Sequence, residues 1–360
     1  MHNFSPFRFA ARQTGCPAHR AGRGRLPALS ALLVLALLAT PLWIPAAAAA
    51  PTLVLYNGQH PQTVRLITRA FEKQTGIHVL VHSGEGPAIV EQILRERRRS
   101  PADVVFVENS TSINMLNRKG LLAPVPATTL ARVPHRYSAP NGRWIAVVAR
   151  QNVLTWNPAL IHRTSLPDTL TALAGPRWKG RIAIAPGDSD FLPLVDAMIR
   201  LKGEQAALAW LEGLKRNAKT YPDDEGVVAA VNRGEVATGI INNYYWARLR
   251  TEVGPRHMHA EIAHFRRGDV GNLVNVSAAA VLSSAPHKML AQRFLAFLVS
   301  RDAQEILARS NVDYEYPLVR GVKANPVVTP WNRLYPPKIA PWRLGTDAMA
   351  LRLLEKAGLL

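Results

Sequence analysis

The segment Val236-Ala237-Thr238-Gly239-Ile240-Ile241 is followed directly by Asn242-Asn243-Tyr244-Tyr245-Trp246. Its apolar first half predicts a buried strand, and we expect that strand to carry the two adjacent tyrosines at its end. A phenolate is a hard, anionic oxygen ligand, and hard trivalent cations prefer such oxygens to sulfur. The tyrosine pair therefore indicates a metal site, with an aromatic shelf for an organic ligand as the alternative.

Strands and helices alternate along the chain on both sides of this segment. Strands are predicted at residues 53–56, 77–81, 101–107, 181–185 and 277–282. A helix with Val64, Ile67, Ala70 and Phe71 on one face is predicted to stop at Gly76. Further helices are predicted at residues 87–98, 112–118, 191–201, 204–215, 227–231, 289–300, 302–310 and 346–357. The alternation predicts an α/β fold, in which parallel sheets carry helices on their faces. We expect two lobes joined by crossing strands: residues 51–152 with 275–325, and residues 153–274 with 326–360.

Residues 1–50 have the pattern of a secretory signal peptide. Five arginines precede an apolar stretch from about Pro27 to Ile44, and residues 46–50 are all alanine. A retained membrane anchor is the alternative, but the apolar stretch is shorter than the roughly 20 residues that a spanning helix needs. The one cysteine, Cys16, lies in this segment, so we expect the exported chain to have no disulfide, thiolate ligand or cysteine nucleophile.

The composition points to a basic, soluble protein. Removing the five arginines of residues 1–50 lowers the formal net charge from +19 to +14. The remaining arginines are dispersed, apart from the run Arg95-Glu96-Arg97-Arg98-Arg99, and no nucleic-acid-binding motif appears. We therefore predict no nucleic-acid partner, whereas attraction to an anionic membrane surface or an acidic partner stays open. Residues 51–360 are numerous enough to bury a sizeable core.

Two further polar side chains follow predicted strands. His60 comes shortly after the first strand, and Glu108 directly follows the strand that ends at Val107. Ligands of such sheets bind beyond the carboxyl ends of the strands, where the tyrosine pair is also expected. Taken singly, His60 is more typical of a turn and Glu108 of an exposed surface. Taken with Tyr244 and Tyr245, they form a ligand set suited to Fe3+.

Several motifs resemble those of the periplasmic ferric-ion-binding proteins of ABC-type iron importers, also called bacterial transferrins. They are Tyr56-Asn57-Gly58-Gln59-His60, the region from Pro101 to Glu108, Leu121-Leu122-Ala123-Pro124, Trp178-Lys179-Gly180-Arg181 and Asn242-Asn243-Tyr244-Tyr245-Trp246. The resemblance covers nearly the whole exported chain in the same order. It implies the type II periplasmic-binding-protein fold, in which two α/β lobes with a hinge close on a ligand in a central cleft.

The resemblance also implies a ligand set and a biological setting. His60 and Glu108 would come from one lobe and Tyr244 and Tyr245 from the other. The protein would be a monomeric periplasmic carrier that delivers Fe3+ to a membrane permease with its ATPase. Four ligands leave two octahedral positions for water or a small synergistic anion. Since the pKa of free tyrosine is about 10, iron must displace phenolic protons, and we expect acid to favour its release.

The loop expected to hold a companion anion departs from the family pattern. It runs Pro186-Gly187-Asp188-Ser189-Asp190-Phe191, and Asp224 falls near another expected polar contact. In phosphate-binding members a small polar loop offers backbone N–H groups at a helix start, whereas aspartates repel phosphate. Val319 also stands where an arginine is expected, with Arg320 one position later. We therefore predict no tightly held phosphate. Asp188, Ser189, Asp190 and Asp224 are candidate auxiliary ligands, and helix capping is the alternative for Asp188 and Ser189.

Two other functions are compatible with the same residues. A binding protein for an organic or anionic solute would use Tyr244, Tyr245 and Trp246 as a stacking shelf. An exported non-haem iron enzyme would use the four ligands with open coordination positions. No G-x-S-x-G, H-E-x-x-H or P-loop motif supports an enzyme. The segment Val107-Glu108-Asn109 leaves open whether the cargo is the bare ferric ion or a ferric chelate.

Overall fold

The computed structural model describes residues 51–360, so the predicted signal peptide and its cleavage site lie outside the described residues. Ten strands form one hydrogen-bonded network in this part of the chain. They are β1 (Thr52–Gly58), β2 (His78–Ser83), β3 (Val104–Val107), β4 (Ile145–Trp156), β5 (Ile182–Ile184), β6 (Ala218–Thr220), β7 (Thr238–Asn242), β8 (Glu261–Ala263), β9 (Val274–Val281) and β10 (Tyr316–Pro317). Their order is β2-β1-β3-β9-β4-β7-β5-β6, with β8 and β10 paired to β4 outside this row.

Helices cover both faces of the network, as an α/β fold requires. They are α1 (Pro61–Thr75), α2 (Gly86–Glu96), α3 (Ser110–Arg118), α4 (Ala127–Leu130), α5 (Leu192–Lys202), α6 (Glu204–Asn217), α7 (Asp224–Asn232), α8 (Asn243–Val253), α9 (Lys288–Leu298), α10 (Arg301–Arg309) and α11 (Ala348–Lys356). Helix α1 ends as predicted at Gly76, whose φ of 69° is a left-handed conformation that glycine adopts at low cost. None of the helices in residues 51–360 has the length and apolarity needed to span a membrane.

Strand β4 connects the two halves of the network. Its residues 145–151 pair antiparallel with β9, and its residues 152–156 pair antiparallel with β7. Strands β1, β2 and β3 are parallel to one another, as are β5, β6 and β7, in agreement with the predicted alternation. The predicted lobe boundary at residues 152 and 153 falls where β4 changes partner. The boundaries themselves remain a prediction, because the described chain forms one compact unit.

Two apolar clusters form the core of the described chain, and the larger one includes residues from both halves of the strand network. In the first, the Phe71 ring of α1 packs edge-on against Phe294 of α9, with ring centroids 5.0 Å apart. In the second, Phe191 stacks on Trp210 of α6 at 5.9 Å, and α11 packs on α5 and α6. Burial of these side chains stabilises the fold by roughly 25 cal/mol per Å² of apolar surface.

The position of the tyrosine pair corrects the sequence prediction. Strand β7 ends at Asn242, and Tyr244 and Tyr245 lie in the first turn of α8. The aromatic run continues the apolar pattern of β7 and hides the change from strand to helix. The helix brings both rings to the same end of the structure. Consecutive residues of a strand would instead point to opposite faces.

Candidate metal centre

His60 is held at the junction of β1 and α1. Oδ1 of Asn57 accepts a hydrogen bond from the Gln59 amide at 2.9 Å, and Oε1 of Gln59 accepts one from the His60 amide at 2.7 Å. Pro61 begins α1, where its missing N–H costs nothing. Gly58 is required because a Cβ there would lie 2.7 Å from the Gly86 Cα. The tight turn fixes the imidazole beyond the carboxyl end of β1.

Glu108 reaches the same edge because β1 and β3 are parallel neighbours. Gly58 pairs with Val107, and the Glu108 amide donates to the Gly58 carbonyl at 3.1 Å. Oε1 of Glu108 therefore lies 3.0 Å from Nε2 of His60, in an ion-pair contact that is not aligned as a hydrogen bond. Sheet register thus brings together two side chains that are far apart in sequence.

The tyrosine rings complete the cluster from α8. Their centroids lie 4.2 Å from each other, and the His60 ring lies 5.1 Å from Tyr244 and 5.9 Å from Tyr245. Oη of Tyr244 lies 2.8 Å from Oε1 of Glu108. The structure therefore brings all four predicted ligands into one buried group. Trp246 faces elsewhere, since its indole N–H donates to the Ala260 carbonyl at 2.8 Å.

The acidic loop adds one carboxylate to this group. Oδ2 of Asp190 lies 2.5 Å from Oη of Tyr244. Asp188 and Asp224 lie behind it: Asp188 accepts from the Asp190 amide at 3.0 Å and the Asp224 amide at 3.1 Å, and Asp224 accepts from the Asn242 amide at 2.8 Å. These two aspartates brace the loop, the start of α7 and the start of α8.

The side chains of Asp188 and Ser189 do not cap α5, in contrast to the capping alternative. The Ser189 carbonyl accepts from the Asn109 side chain at 3.2 Å, and the residue itself is half-buried. The N-cap residue of α5 is Phe191, and no side chain of the described residues caps this helix. The Asp188 carboxylate instead accepts from Asp224, the first residue of α7. Within residues 51–360, Asp190 is the one auxiliary candidate that forms a hydrogen bond or ion pair with a predicted ligand.

Charge and burial set the protonation of the cluster. Burial raises the pKa of both Tyr244 and Tyr245 well above 10, and the charges of Asp190 and Glu108 raise it further. Burial by itself would lower the pKa of His60, but Glu108 raises it to about 9. Burial would likewise raise the pKa of Glu108, but His60 and Arg150 hold it at about 2. Without a metal, protons therefore occupy the phenols and the imidazole.

The pKa values of Asp188 and Asp224 are raised, whereas that of Glu108 is lowered. Burial, helped by the charge of Asp190, raises the pKa of Asp188 to about 7. Burial also raises the pKa of Asp224 well above its ordinary value, and Asp188 adds to the effect. In the described part of the chain, no cation offsets the desolvation of these two carboxyls, whereas His60 and Arg150 do so for Glu108.

Arg150 is a residue of the site that our sequence analysis missed. Its guanidinium donates to the Glu108 carbonyl and lies 3.2 Å from Oδ1 of Asp190. A second missed residue, Arg248, lies over the Tyr244 and Tyr245 rings at 5.5 Å from each centroid. The signal for Arg150 was an arginine directly after the apolar residues 145–149 of β4. Arg248 follows Tyr244 by four residues, which places both on one helix face.

The proposed metal site depends on phenol oxygens as donor atoms. Among residues 51–360, no group of three or more His, Cys, Asp or Glu side chains is arranged to hold a metal ion. The cluster qualifies only when phenol oxygens are counted as donors. Such a set, rich in hard oxygens and free of sulfur, suits a hard trivalent cation.

Comparison with known proteins agrees with this chemistry. The "Fe(3+)-binding periplasmic protein" of Serratia marcescens is 37% identical over 88% of this chain and 93% of its own length. The crystal structure of iron-bound HitA from Pseudomonas aeruginosa has a TM-score of 0.81 and 41% identity, covering 86% of this chain and 99% of that one. A Trichodesmium protein solved with iron and citrate has a TM-score of 0.75 and 28% identity, covering 85% and 99%.

A profile of bacterial extracellular solute-binding proteins matches residues 53–310. The chain belongs to the bacterial extracellular solute-binding proteins and, within that family, groups with the periplasmic ferric-ion-binding proteins that its sequence resembles. The fold class predicted from the sequence, two α/β lobes of the type II periplasmic-binding-protein architecture, is thereby confirmed.

Proposed function

We propose that this protein is the periplasmic solute-binding component of an iron(III) ABC importer. The observation that carries the proposal is the Glu108 carboxylate, whose Oε1 lies 3.0 Å from Nε2 of His60 and 2.8 Å from Oη of Tyr244. Three donors from β1, β3 and α8 thus converge on one point, with the Tyr245 ring beside them. His60, Glu108, Tyr244 and Tyr245 are the proposed iron ligands.

Asp190 is the proposed fifth ligand. Its Oδ2 already contacts Oη of Tyr244, so one cation can reach both oxygens. It would occupy a coordination position that otherwise falls to water or a synergistic anion. Asp188, Asp224 and Ser189 support the loop in this proposal and do not bind iron. The crowded carboxylates also disfavour a ferric chelate of the citrate type, because like charges repel at short range.

The proposed cellular role is inferred from the similarity to the relatives. The Serratia protein is named as periplasmic and as Fe(3+)-binding. We infer that residues 1–50 direct export and that the mature protein is a monomer. It would close its two lobes, residues 51–152 with 275–325 and residues 153–274 with 326–360, around Fe3+. It would then release the ion to a permease with its ATPase and catalyse no reaction.

The proposal is tested by visible spectroscopy of the exported protein after addition of ferric citrate. We expect a broad phenolate-to-iron charge-transfer band that titrates to one iron per chain. The double substitution Tyr244→Phe with Tyr245→Phe should abolish it. Tyr316→Phe is the matched control, because Tyr316 is fully buried and its hydroxyl has no hydrogen-bond partner within residues 51–360.

The control variant should keep the full band. An absence of the band in the wild-type protein, with iron remaining on citrate, would refute the ferric function. It would direct attention to an organic ligand of the same cleft. Turnover of a substrate by the iron-loaded protein would instead support the enzyme alternative.

A further inference from the structure

Arg150 lies close to the position where strand β4 changes its pairing partner. It is in β4, one residue before the last position that pairs with β9 and two before the first that pairs with β7. Only 1% of its side chain is exposed. An arginine is rarely buried this deeply unless its charge is paired. Its partners therefore show what it does.

The guanidinium joins groups from several parts of the chain. On the side of β3 it donates to the Glu108 carbonyl and to Oδ1 of Asn109, the latter at 2.6 Å. On the side of the acidic loop it lies 3.2 Å from Oδ1 of Asp190. These contacts are made by Nη2, and the other terminal nitrogen, Nη1, donates to Oε1 of Glu315 at 2.9 Å. One planar group thus fixes two of the proposed iron ligands relative to each other.

The two oxygens of Asp190 have different partners. Oδ1 faces Arg150, and Oδ2 faces the Tyr244 hydroxyl. An unpaired carboxylate buried this deeply would be strongly destabilising. The guanidinium offsets that cost while it leaves Oδ2 available to a metal. Glu315 shares the same cation, but burial and the charge of Asp313 raise its pKa to about 7, so it is only partly ionised near neutral pH.

The charges of the ion and of its proposed ligands differ by one, and two cations lie nearby: Arg150 in contact with Asp190, and Arg248 over the tyrosine rings. Two phenolates, Glu108 and Asp190 carry four negative charges, whereas Fe3+ alone carries three positive ones. Arg150 supplies the fourth. Although burial by itself would lower the pKa of Arg150, the attraction of Asp190, Glu108 and Glu315 raises it, so the guanidinium stays charged.

We propose that Arg150 is the positioning residue of the ferric site, which holds Glu108 and Asp190 in ligating positions and balances the charge of a donor set that includes Asp190. The inference rests on the proposed function. It explains how Asp190, a carboxylate of the protein itself, can occupy a coordination position that an external anion would otherwise fill. It also ties the ligands to the strand that links the two halves of the sheet.

The test compares wild type, Arg150→Lys, Arg150→Met and the control Arg143→Met. Arg143 precedes β4, and its side chain donates to the Leu122 carbonyl, so the control removes an arginine away from the site. Iron affinity is measured by competition with citrate, together with the position of the charge-transfer band and the melting temperature. We expect Arg150→Met to weaken iron binding about 10- to 100-fold and to shift the band.

Lysine keeps the charge but has one terminal nitrogen where arginine has two, so it cannot bind Glu315 together with Asp190 and the Glu108 carbonyl, which contact different terminal nitrogens of Arg150. We expect an intermediate loss of affinity for Arg150→Lys and no change for Arg143→Met. A lower melting temperature alone, with unchanged affinity and band, would show a merely structural role and overturn the proposal.

The remaining outcomes are also decisive. If Arg150→Met does not fold, Arg150→Lys decides, and wild-type affinity with an unshifted band rejects the positioning role. If neither variant folds, Arg150 serves the fold and the proposal is rejected. Failure of the wild-type protein to bind iron refutes the proposed function itself, which separates that failure from a failure of the Arg150 inference.

Discussion

The hydroxyl of Tyr244 lies 2.5 Å from Oδ2 of Asp190, although the two residues are 54 positions apart in the sequence. The same hydroxyl lies 2.8 Å from Glu108. A phenol has one hydrogen, which can be donated fully to only one of these carboxylates. Loss of that hydrogen would leave three oxygens with negative charge in contact. A trivalent cation at this point stabilises an arrangement that the protein alone disfavours.

We predict that Asp190→Asn weakens iron binding about 10- to 100-fold, because it removes a charged donor beside Tyr244 without changing its shape. Asp168→Asn is the control, because Asp168 is exposed and is not one of the candidate ligands. Affinities are measured by competition with citrate. Equal affinities for the two variants would contradict a ligand role for Asp190. Added phosphate should partly restore the iron affinity of Asp190→Asn, because phosphate can take the position of the lost carboxylate.

The packing of α7 on β7 gives a second prediction. A Cβ at Gly239 would lie 2.4 Å from Cγ1 of Val227 and 3.2 Å from Cγ2 of Thr155. We expect Gly239→Ala to lower the free energy of unfolding by about 1 to 3 kcal/mol, the usual range for overpacking. Gly84→Ala is the control, because the nearest atom there is 3.4 Å away, at Ile89. Urea unfolding measures both, and equal values would refute the close contact.

The N-terminus of α7 supplies a third prediction. Oδ1 of Asp223 accepts from the Gly226 amide at 2.7 Å and caps the helix. Asp223→Ala should cost about 1 kcal/mol of stability, whereas Asp223→Ser keeps an acceptor and should cost less. Denaturant titration compares the two variants. A serine variant as unstable as the alanine variant would show that the cap bond contributes little.

A buried carboxyl between α3 and α11 makes stability depend on pH. Burial raises the pKa of Asp347 to about 7, above the ordinary value of 3.8. The folded state thus holds a proton that the unfolded state loses. The stabilising contribution is therefore complete below about pH 4 and is lost as pH rises through about 7. Asp347 also has a left-handed φ of 66°, which asparagine tolerates.

We therefore predict that Asp347→Asn stabilises the protein by about 1 to 3 kcal/mol at pH 8 and by much less at pH 4. Unfolding by urea at the two pH values measures the difference. The exposed Asp168 provides the control substitution Asp168→Asn, which should have the same small effect at both. An equal effect of Asp347→Asn at both pH values would contradict a raised pKa.

Local patterns in the sequence predicted much of the fold. The alternation of β1, α1, β2, α2 and β3 was readable from periodicity, and Gly76 marked the end of α1. Helix α8 was missed because the aromatic residues after β7 resemble a continuing strand. Tyr244 and Tyr245 were nevertheless recognised as candidate ligands, since their donor chemistry does not depend on the secondary structure that carries them.

The sequence by itself determined the α/β class, the types of donor atoms and the strand ends near which His60 and Glu108 would lie. Those features depend on side-chain chemistry and on short-range periodicity. Only the tertiary structure decided that Asp190 meets Tyr244 while Asp188 braces the backbone, and that Arg150 joins Glu108 to Asp190. These contacts join residues 36 to 54 positions apart, and Arg150 lies 42 positions from Glu108. Sheet register and the packing of α7 and α8 set such distances, and no local pattern records them.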